Sequence, residues 1–248
     1  MMRRVACLKW ALGWALLIAS MGFVQAQNID LVTASATKAG TVYSVPVQTL
    51  LILTALSFLP AALMLMTSFT RILIVFSLLR QALGLQGMPP NMVLIGLSFL
   101  LTLFVMNPVL EPIYKDAYLP LTRGELNLDQ AVEKATVPLK SFMLKQTRQD
   151  DLNLFAKLHH KPIATRADVP MTVLVPAFAI SEIKTGFLIG FLIYLPFIAV
   201  DFAVASILTS LGMVMVSPMM LSLPLKLVLF ALADGWTLLA GSLVASFQ

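Results

Sequence analysis

Five charged side chains interrupt the otherwise apolar C-terminal third of this sequence. No other charged residue follows Pro170, and the five are Glu182, Lys184, Asp201, Lys226 and Asp234. A charge held inside a bilayer costs about 2.5–3.5 kcal/mol on insertion scales unless it is paired or faces water. These residues are therefore predicted to form ion pairs, most simply Lys226 with Glu182 or Asp201, across helices or subunits. A proton or ion relay through the same residues is the alternative.

The segment that contains Glu182 carries small residues at a helical spacing. Glu182, Gly186 and Gly190 follow one another at four-residue intervals, so they lie on one face of a helix. Glycines at this spacing let two helices approach closely. The pattern predicts tight helix packing along this face.

A methionine-containing segment lies between two apolar stretches near the C-terminus. Its central residues are Met213, Val214 and Met215, flanked by Gly212 and Pro218. Methionine side chains are flexible and adaptable enough to seal a channel around varied contents. Ordinary core packing is the alternative for these side chains.

The remaining residues that could bind a metal or catalyse a reaction do not form a site. His159 and His160 are adjacent, and no third ligand stands at metal-site spacing, so both are interpreted as solvated surface residues. The sequence has no phosphate-binding loop, nucleophile elbow or carboxylate pair. It therefore predicts a protein that is not an enzyme and holds neither cofactor nor metal.

The elements that position these residues are predicted to be hydrophobic helices. Of 248 residues, 59% are hydrophobic and 12% charged, and the mean hydropathy is +0.90, which indicates an all-α, polytopic membrane protein. The uncharged window Val47–Met66 and the stretch Met92–Val109 are long enough to span a bilayer. They form a first helical hairpin, residues 47–110, broken around the Pro89–Pro90 pair. At least two more such helices form a second hairpin, residues 171–248, with the methionine segment at its turn.

Residues 1–26 have the pattern of a secretory signal peptide. Basic residues near the start are followed by an apolar stretch from Ala11 to Ala19 and a small residue at Ala26, the expected cleavage site. Cleavage would remove the single cysteine, Cys7, and three of the 17 basic residues. The remaining 14 basic residues nearly balance the 12 acidic ones, which argues against nucleic acid as a partner. An uncleaved anchor helix is the alternative.

Residues 111–170 form a charged insert between the two hairpins. Of the 29 charged residues in the chain, 17 lie between Glu111 and Asp168. The insert is predicted to be solvated and partly helical. Its apolar residues are predicted to share one face of an amphipathic helix, and they are Leu139, Phe142, Met143, Phe155 and Leu158.

The signal peptide also predicts the orientation of the helices. It places the N-terminal segment, residues 27–46, outside the cytoplasm, so the first helix delivers Arg71 and Arg80 to the cytoplasmic side. Basic residues are favoured there. The second helix then returns the chain outward, so the insert is predicted to be extracytoplasmic.

Six segments of the sequence together form a specific pattern. They are SFTRILIVFSLLRQALG from Ser68, PPN from Pro89, SFMLKQTRQDDLNLF from Ser141, SEIKTGFLIGFLIYLPFIAVD from Ser181, GMVMVSP from Gly212 and LPLKLVLFALADGWTLLAGSL from Leu223. These segments resemble the FliP family of flagellar export-gate subunits, whose injectisome relatives (SctR) share the family.

This resemblance implies an all-helical subunit, present in several copies, at the centre of the type III export apparatus. The implied partners are FliQ, FliR and FlhB, with FliO during assembly in some systems, and the cargo is unfolded flagellar protein. The implied location is the bacterial inner membrane at the flagellar basal body. The resemblance also implies a gate lifted partly out of the bilayer plane.

The resemblance also implies roles for particular residues. The methionine segment would be a gasket that closes the pore, built here from Met213 and Met215 with Val214 where relatives carry a third methionine. Glu182 and Lys226 would contact each other between subunits. An injectisome subunit and, from another class, an ion or solute transporter that binds its cargo through Asp201 are the alternative functions.

Overall fold

The computed structural model describes most of the chain from residue 64 onward. Its described residues are 53–54, 57–58, 61, 64–159, 165–213 and 215–247, together with the backbone of 33–37 and 40–44. The predicted signal peptide and most of the predicted first span, Val47–Met66, lie outside these residues. The chain divides into two compact units, residues 1–59 and 60–248.

The first unit contains a short β-hairpin that the sequence analysis did not predict. Strand β1, Thr33–Thr37, pairs antiparallel with strand β2, Gly40–Ser44, in a register that places Thr33 opposite Ser44. The two strands contain three threonines and one valine, and such β-branched residues favour extended backbone.

The second unit is built from helices. Their bounds are α1 Phe69–Ala82, α2 Asn91–Pro112, α3 Leu128–Gln146, α4 Gln149–Leu158, α5 Met171–Ser210, α6 Pro218–Leu232 and α7 Gly235–Ala245. Two described helical stretches are long and apolar enough to span a membrane, or three if the bent pair α6 and α7 is one span. The prediction of a helical, polytopic membrane protein is confirmed.

Helix α2 extends well beyond the apolar stretch that predicted it. A π-helical turn, Ile113–Tyr118, and a helical turn, Leu119–Thr122, continue it without interruption, so 32 residues from Asn91 to Thr122 form one stretch. The charged insert therefore begins inside a helix, and no backbone break separates it from the hydrophobic region.

Helix α5 is a single helix of 40 residues despite two internal prolines, Pro176 and Pro196. Helices α6 and α7, by contrast, meet at a bend of 64°. Asp234 lies at this bend with φ of 48°, a left-handed conformation that residues other than glycine rarely adopt. The bend makes a corner in an otherwise apolar part of the chain.

Helix α1 occupies the centre of the second unit, with Ile72, Val75, Phe76 and Leu79 almost fully buried. Its contact with α5 is close because α5 presents glycines to it. A Cβ atom added to Gly186 would lie 3.2 Å from Ile74 Cγ2, and one added to Gly190 would lie 2.9 Å from Leu78 Cβ. The predicted close packing at these two glycines therefore occurs within one chain.

The insert contains two helices where the sequence predicted one amphipathic helix. Helix α3 starts with a capping box between Asn127 and Gln130, which satisfies backbone N–H groups at its start. It ends before Thr147, whose ψ of 129° is extended, and α4 begins after Arg148. The single-helix prediction is wrong because the Arg148 N–H leaves the helical pattern and donates to Ser181 Oγ on α5 at 2.9 Å.

This break folds the insert against the start of α5. Met143 of α3 and Leu152 of α4 are buried in one cluster with Leu174 and Phe178 of α5. Two shorter helices can place both apolar residues on the same partner, whereas one straight helix would carry α4 away from α5.

Candidate functional sites in the hydrophobic helices

Arg71 and Glu182 form a buried ion pair between α1 and α5. Arg71 Nε donates to Glu182 Oε2 at 2.9 Å, and Arg71 Nη2 donates to Glu182 Oε1. The side chains are 3% and 0% exposed. A two-point contact between guanidinium and carboxylate is the strongest common form of charged hydrogen bond in proteins, and it fixes the relative position of the two helices.

The remaining donors of Arg71 bind the end of the described chain and the insert. Nη1 donates to the carbonyl oxygen and to Oγ of Ser246, each at 3.1 Å, and Nη2 donates to Gln146 Oε1 at 3.2 Å. The guanidinium carbon lies 3.9 Å from the ring centre of Phe247. Gln146 Nε2 in turn donates to the Phe247 carbonyl at 2.9 Å. One side chain thus joins α1, α3, α5 and the residues after α7.

Lys226 of α6 forms a second ion pair, with Asp201 of α5. Lys226 Nζ lies 2.6 Å from Asp201 Oδ2 and also donates to the carbonyl oxygen of Ala82 at 3.0 Å. Ser222 Oγ donates to the other carboxylate oxygen of Asp201 at 2.6 Å. Because Ala82 ends α1, the ammonium group also compensates the negative end of that helix.

Lys184 of α5 pairs with Asp151 of α4 at the surface of the unit. The carboxylate of Asp151 is 2% exposed, whereas the side chain of Lys184 is about half exposed. Asp151 Oδ2 has no hydrogen-bond partner among the described residues. This pair fastens the insert to the hydrophobic helices.

Arg80 and Asp234 have no oppositely charged partner within the described residues. Arg80 Nη1 donates to the Pro89 carbonyl at 3.1 Å and to Asn91 Oδ1 at 2.7 Å. Asp234 is exposed, and its Oδ1 accepts a hydrogen bond from Thr237 Oγ1 at 3.1 Å. These two residues are hydrogen-bonded but not neutralised.

The methionine segment forms the loop between α5 and α6. The side chain of Met215 is 98% exposed and that of Met213 is 44% exposed. Val214 lies outside the described residues. At the start of α6, Met219 and Met220 are also exposed. The end of this helical pair therefore presents several flexible apolar side chains to its surroundings.

Comparison with known proteins identifies the family. The FliP family model matches residues 52–243, which is most of the chain. The chain belongs to the FliP family. The flagellar biosynthetic protein FliP of Pectobacterium carotovorum is 52% identical over 225 residues, covering 90% of this chain and 87% of the relative. That of Bacillus subtilis is 52% identical over 204 residues, covering 81% of this chain and 91% of the relative.

A further flagellar biosynthetic protein FliP, from Buchnera aphidicola of the pea aphid Acyrthosiphon pisum, is 55% identical over 207 residues. The match covers 83% of this chain but 55% of the relative, so the chain spans little more than half the length of that protein.

In this FliP-family chain the structure brings together some of the residues singled out from sequence. It joins Lys226 to Asp201, one of the two partners considered for it, and gives Glu182 a different partner, Arg71. Arg71 was placed at the cytoplasmic end of the first helix by the charge rule, and its side chain is buried against α3, α5 and the residues after α7. Glu182 and Lys226 do not contact each other within the chain.

Sequence reasoning missed Arg71 and Asp151 as ion-pair partners, and Gln146 and Ser222 as their polar neighbours. A signal for Arg71 was present, because it interrupts an apolar run just as the five C-terminal charges do, and the same desolvation argument applies to it. Asp151 stands in a charged segment, where nothing marks it for burial. His159 is partly exposed after α4, and His160 lies outside the described residues.

Proposed function

We propose that this chain is a core subunit of the flagellar type III protein export gate in the bacterial inner membrane at the basal body. In this proposal several copies surround a pore through which unfolded flagellar proteins leave the cytoplasm. Membership of a family of flagellar biosynthetic proteins and the long apolar helices support it.

The exposed methionine loop carries the proposal. Met215 has almost its whole side chain uncovered, at the tip of two hydrophobic helices. Exposed apolar side chains in such a place favour burial against other chains or inside a closed pore. Unbranched methionine side chains repack easily, so a ring of such loops can close a channel at rest and yield to varied cargo. Met213, Val214 and Met215 are the proposed gasket.

The outer surface of α5 supports assembly from several copies. The face of α5 that carries Gly186 and Gly190 packs against α1, so this face is not free to bind another subunit. Large apolar side chains are exposed elsewhere along the same helix, and they are Phe187, Leu188, Phe191, Leu192 and Leu195. We propose that this surface contacts further copies and the expected partners FliQ, FliR and FlhB, with FliO acting during assembly.

The charged residues inside the hydrophobic helices support a structural role better than a transport site for small ions. Glu182, Lys184, Asp201 and Lys226 each have an oppositely charged partner in the chain. The transporter alternative binds its cargo through Asp201, and it is not favoured because that carboxylate is already held by Lys226 and Ser222. The proposed subunit is not an enzyme and uses energy supplied by other components.

The expected contact between Glu182 and Lys226 of neighbouring subunits involves two residues that already have partners within one chain. Within one chain Glu182 binds Arg71, and Lys226 binds Asp201. Formation of the intersubunit contact would release Arg71 and Asp201 or add them to a larger network.

Deletion of the gene tests the proposal. We expect loss of filaments and loss of flagellin from the culture medium, with flagellin still made inside the cell. Expression of the intact chain should restore both, and it should not replace an injectisome subunit in virulence-protein secretion. Normal flagellin export in the deletion strain would contradict the proposal.

A further inference from the structure

Two charges of the hydrophobic helices remain after the ion pairs are assigned, one positive and one negative. Among the described residues of the ranges 64–110 and 171–247, seven side chains are charged. Five of these seven take part in ion pairs. Arg80 and Asp234 are left. A charge on a hydrophobic helix is costly unless it is paired or faces water, and a partner from outside the chain would supply the missing pairing for both residues.

Arg80 is held in a way that leaves one edge of its guanidinium free. Nη1 makes both of its hydrogen bonds, to Pro89 and Asn91, while Nε and Nη2 have no partner among the described residues. Nε and Nη2 together form the edge that binds a carboxylate at two points. The fixed Nη1 holds this edge in place before any partner arrives, which lowers the entropy lost on binding.

Arg80 lines a concave polar site. A cavity of about 740 Å³ is lined by Arg80, Ser77, Gln81 and Asn91, together with residues of the loop before α2. We call it the Arg80 cup. A cup with one cation and several polar side chains fits a protruding carboxylate.

Asp234 is such a carboxylate. It lies at the 64° corner between α6 and α7, and its neighbour Leu232 is 84% exposed. Its Oδ1 accepts from Thr237, and Oδ2 has no partner among the described residues. The corner is therefore convex, negatively charged and bordered by apolar side chains.

The cup and the corner both lie beside α1. Arg80 lines the cup, and Phe76, four positions before it and so about 40° away around the helix, packs against Trp236, next to the corner, with ring centres 6.4 Å apart. The cup is a polar concavity, whereas the corner is exposed and carries a carboxylate. A contact between cup and corner of two copies would thus join unlike surfaces.

We propose that Arg80 of one copy binds Asp234 of a second copy of this chain. The Asp234 carboxylate accepts from Nε and Nη2 of Arg80, and the apolar rim of the corner covers the pair. Because the two surfaces differ, the copy that uses its cup still has a free corner, and the copy that uses its corner still has a free cup. The contact therefore builds a ring or a helical array. The inference rests on the proposed function only in requiring several copies.

Disulfide cross-linking tests the contact in the assembled export apparatus. Cys7 is replaced by Ser, and two differently tagged copies, one R80C and one D234C, are expressed together with the other export proteins. We expect a disulfide-linked dimer that contains both tags. The control pair, R80C with D150C, uses an exposed aspartate of α4 and should give little of it. Equal yields from the two pairs would overturn the proposal.

A chain that carries both R80C and D234C distinguishes contact between copies from contact within one copy. It is expressed with an excess of cysteine-free copies, which dilutes linkage between copies. An internal disulfide that persists under this dilution would show that the residues meet in one chain and would overturn the proposal. Cross-linking of R80C to another protein in place of D234C would also overturn it.

Variants that change only the charge distinguish loss of the proposed ion pair from loss of the local hydrogen bond that Asp234 makes at the start of α7. D234N keeps an oxygen for Thr237 but removes the charge, and R80E reverses the cation. Each should weaken association of the copies by about thirtyfold or more, as expected for loss of one member of a buried pair, and so lower the yield of assembled complex. R80E combined with D234R should recover it, whereas R80E with D150R should not. Wild-type assembly by both single variants would contradict the contact, although export by the unaltered chain would still support the function.

Discussion

Arg71 and Glu182 lie 111 positions apart in the sequence and meet as a two-point ion pair in the buried contact between α1 and α5. The same arginine binds Ser246 and Gln146, so the pair also holds the residues after α7 and the end of α3. It is one of the points at which the hydrophobic helices and the charged insert are joined.

Removing one member of this pair should strongly destabilise the chain. Glu182→Leu leaves the arginine buried without its anion, and the expected loss is about 3–5 kcal/mol in unfolding free energy. Thermal unfolding in detergent measures it. The double variant Arg71→Met, Glu182→Leu should lose much less, because no charge is left uncompensated. A double variant at least as unstable as the single one would show that the pair stabilises beyond mutual neutralisation.

Asp151 should matter more than its neighbour Asp150. Both stand in the first turn of α4 and interact similarly with the helix dipole, but only Asp151 is buried and paired with Lys184. Asp151→Asn should lower stability by about 1–3 kcal/mol because the hydrogen bond to Lys184 loses its negative charge, and Asp150→Asn by less than about 0.5 kcal/mol. Limited proteolysis of the insert provides the measurement. Equal protease sensitivity of the two variants would refute the assignment.

The close approach of α5 to α1 predicts that Gly190 does not tolerate a side chain. Gly190→Ala places a methyl group against Leu78, 2.9 Å from its Cβ, and overpacking of this kind costs about 1–3 kcal/mol. Gly96 is the matched control, since it lies within α2 and a Cβ there meets nothing within 4 Å. Gly96→Ala should be neutral or stabilising by up to about 1 kcal/mol. The melting temperatures of the two purified variants test this prediction: that of Gly190→Ala should fall below that of the unaltered chain, and that of Gly96→Ala should not.

The helices were predictable because long, mostly apolar windows have few other structures open to them. Asn91–Thr122 contains the uncharged stretch Met92–Val109, and Met171–Ser210 carries only three charges in 40 residues, so sparse charge, a local property, marked both regions. Their exact ends were less predictable, since α2 continues through Glu111 and Lys115, residues that compensate each other within the helix.

The sequence predicted that the charges in the hydrophobic helices would form ion pairs, but it predicted the partners only in part. Desolvation requires a partner for Glu182, but the chain offers several cations, and only the packing of α1 against α5 selects Arg71. The break at Thr147 was not predictable from periodicity, because it depends on Ser181, a residue far along the chain that accepts the Arg148 N–H. Contacts between distant segments decide such details.

The methionine loop tests the central claim, that this chain closes a protein export pore. Met213→Ala and Met215→Ala together shorten the side chains proposed to form the seal. The matched control is Met92→Ala, since Met92 is 79% exposed at the start of α2, away from the loop.

The deciding measurement is the resting ion conductance of membranes that contain the assembled gate, recorded alongside flagellin secretion. The proposal predicts that the loop variant assembles and leaks ions, whereas the Met92 variant and the unaltered chain remain closed. A loop variant that assembles fully and is as tightly closed as the unaltered chain would contradict it.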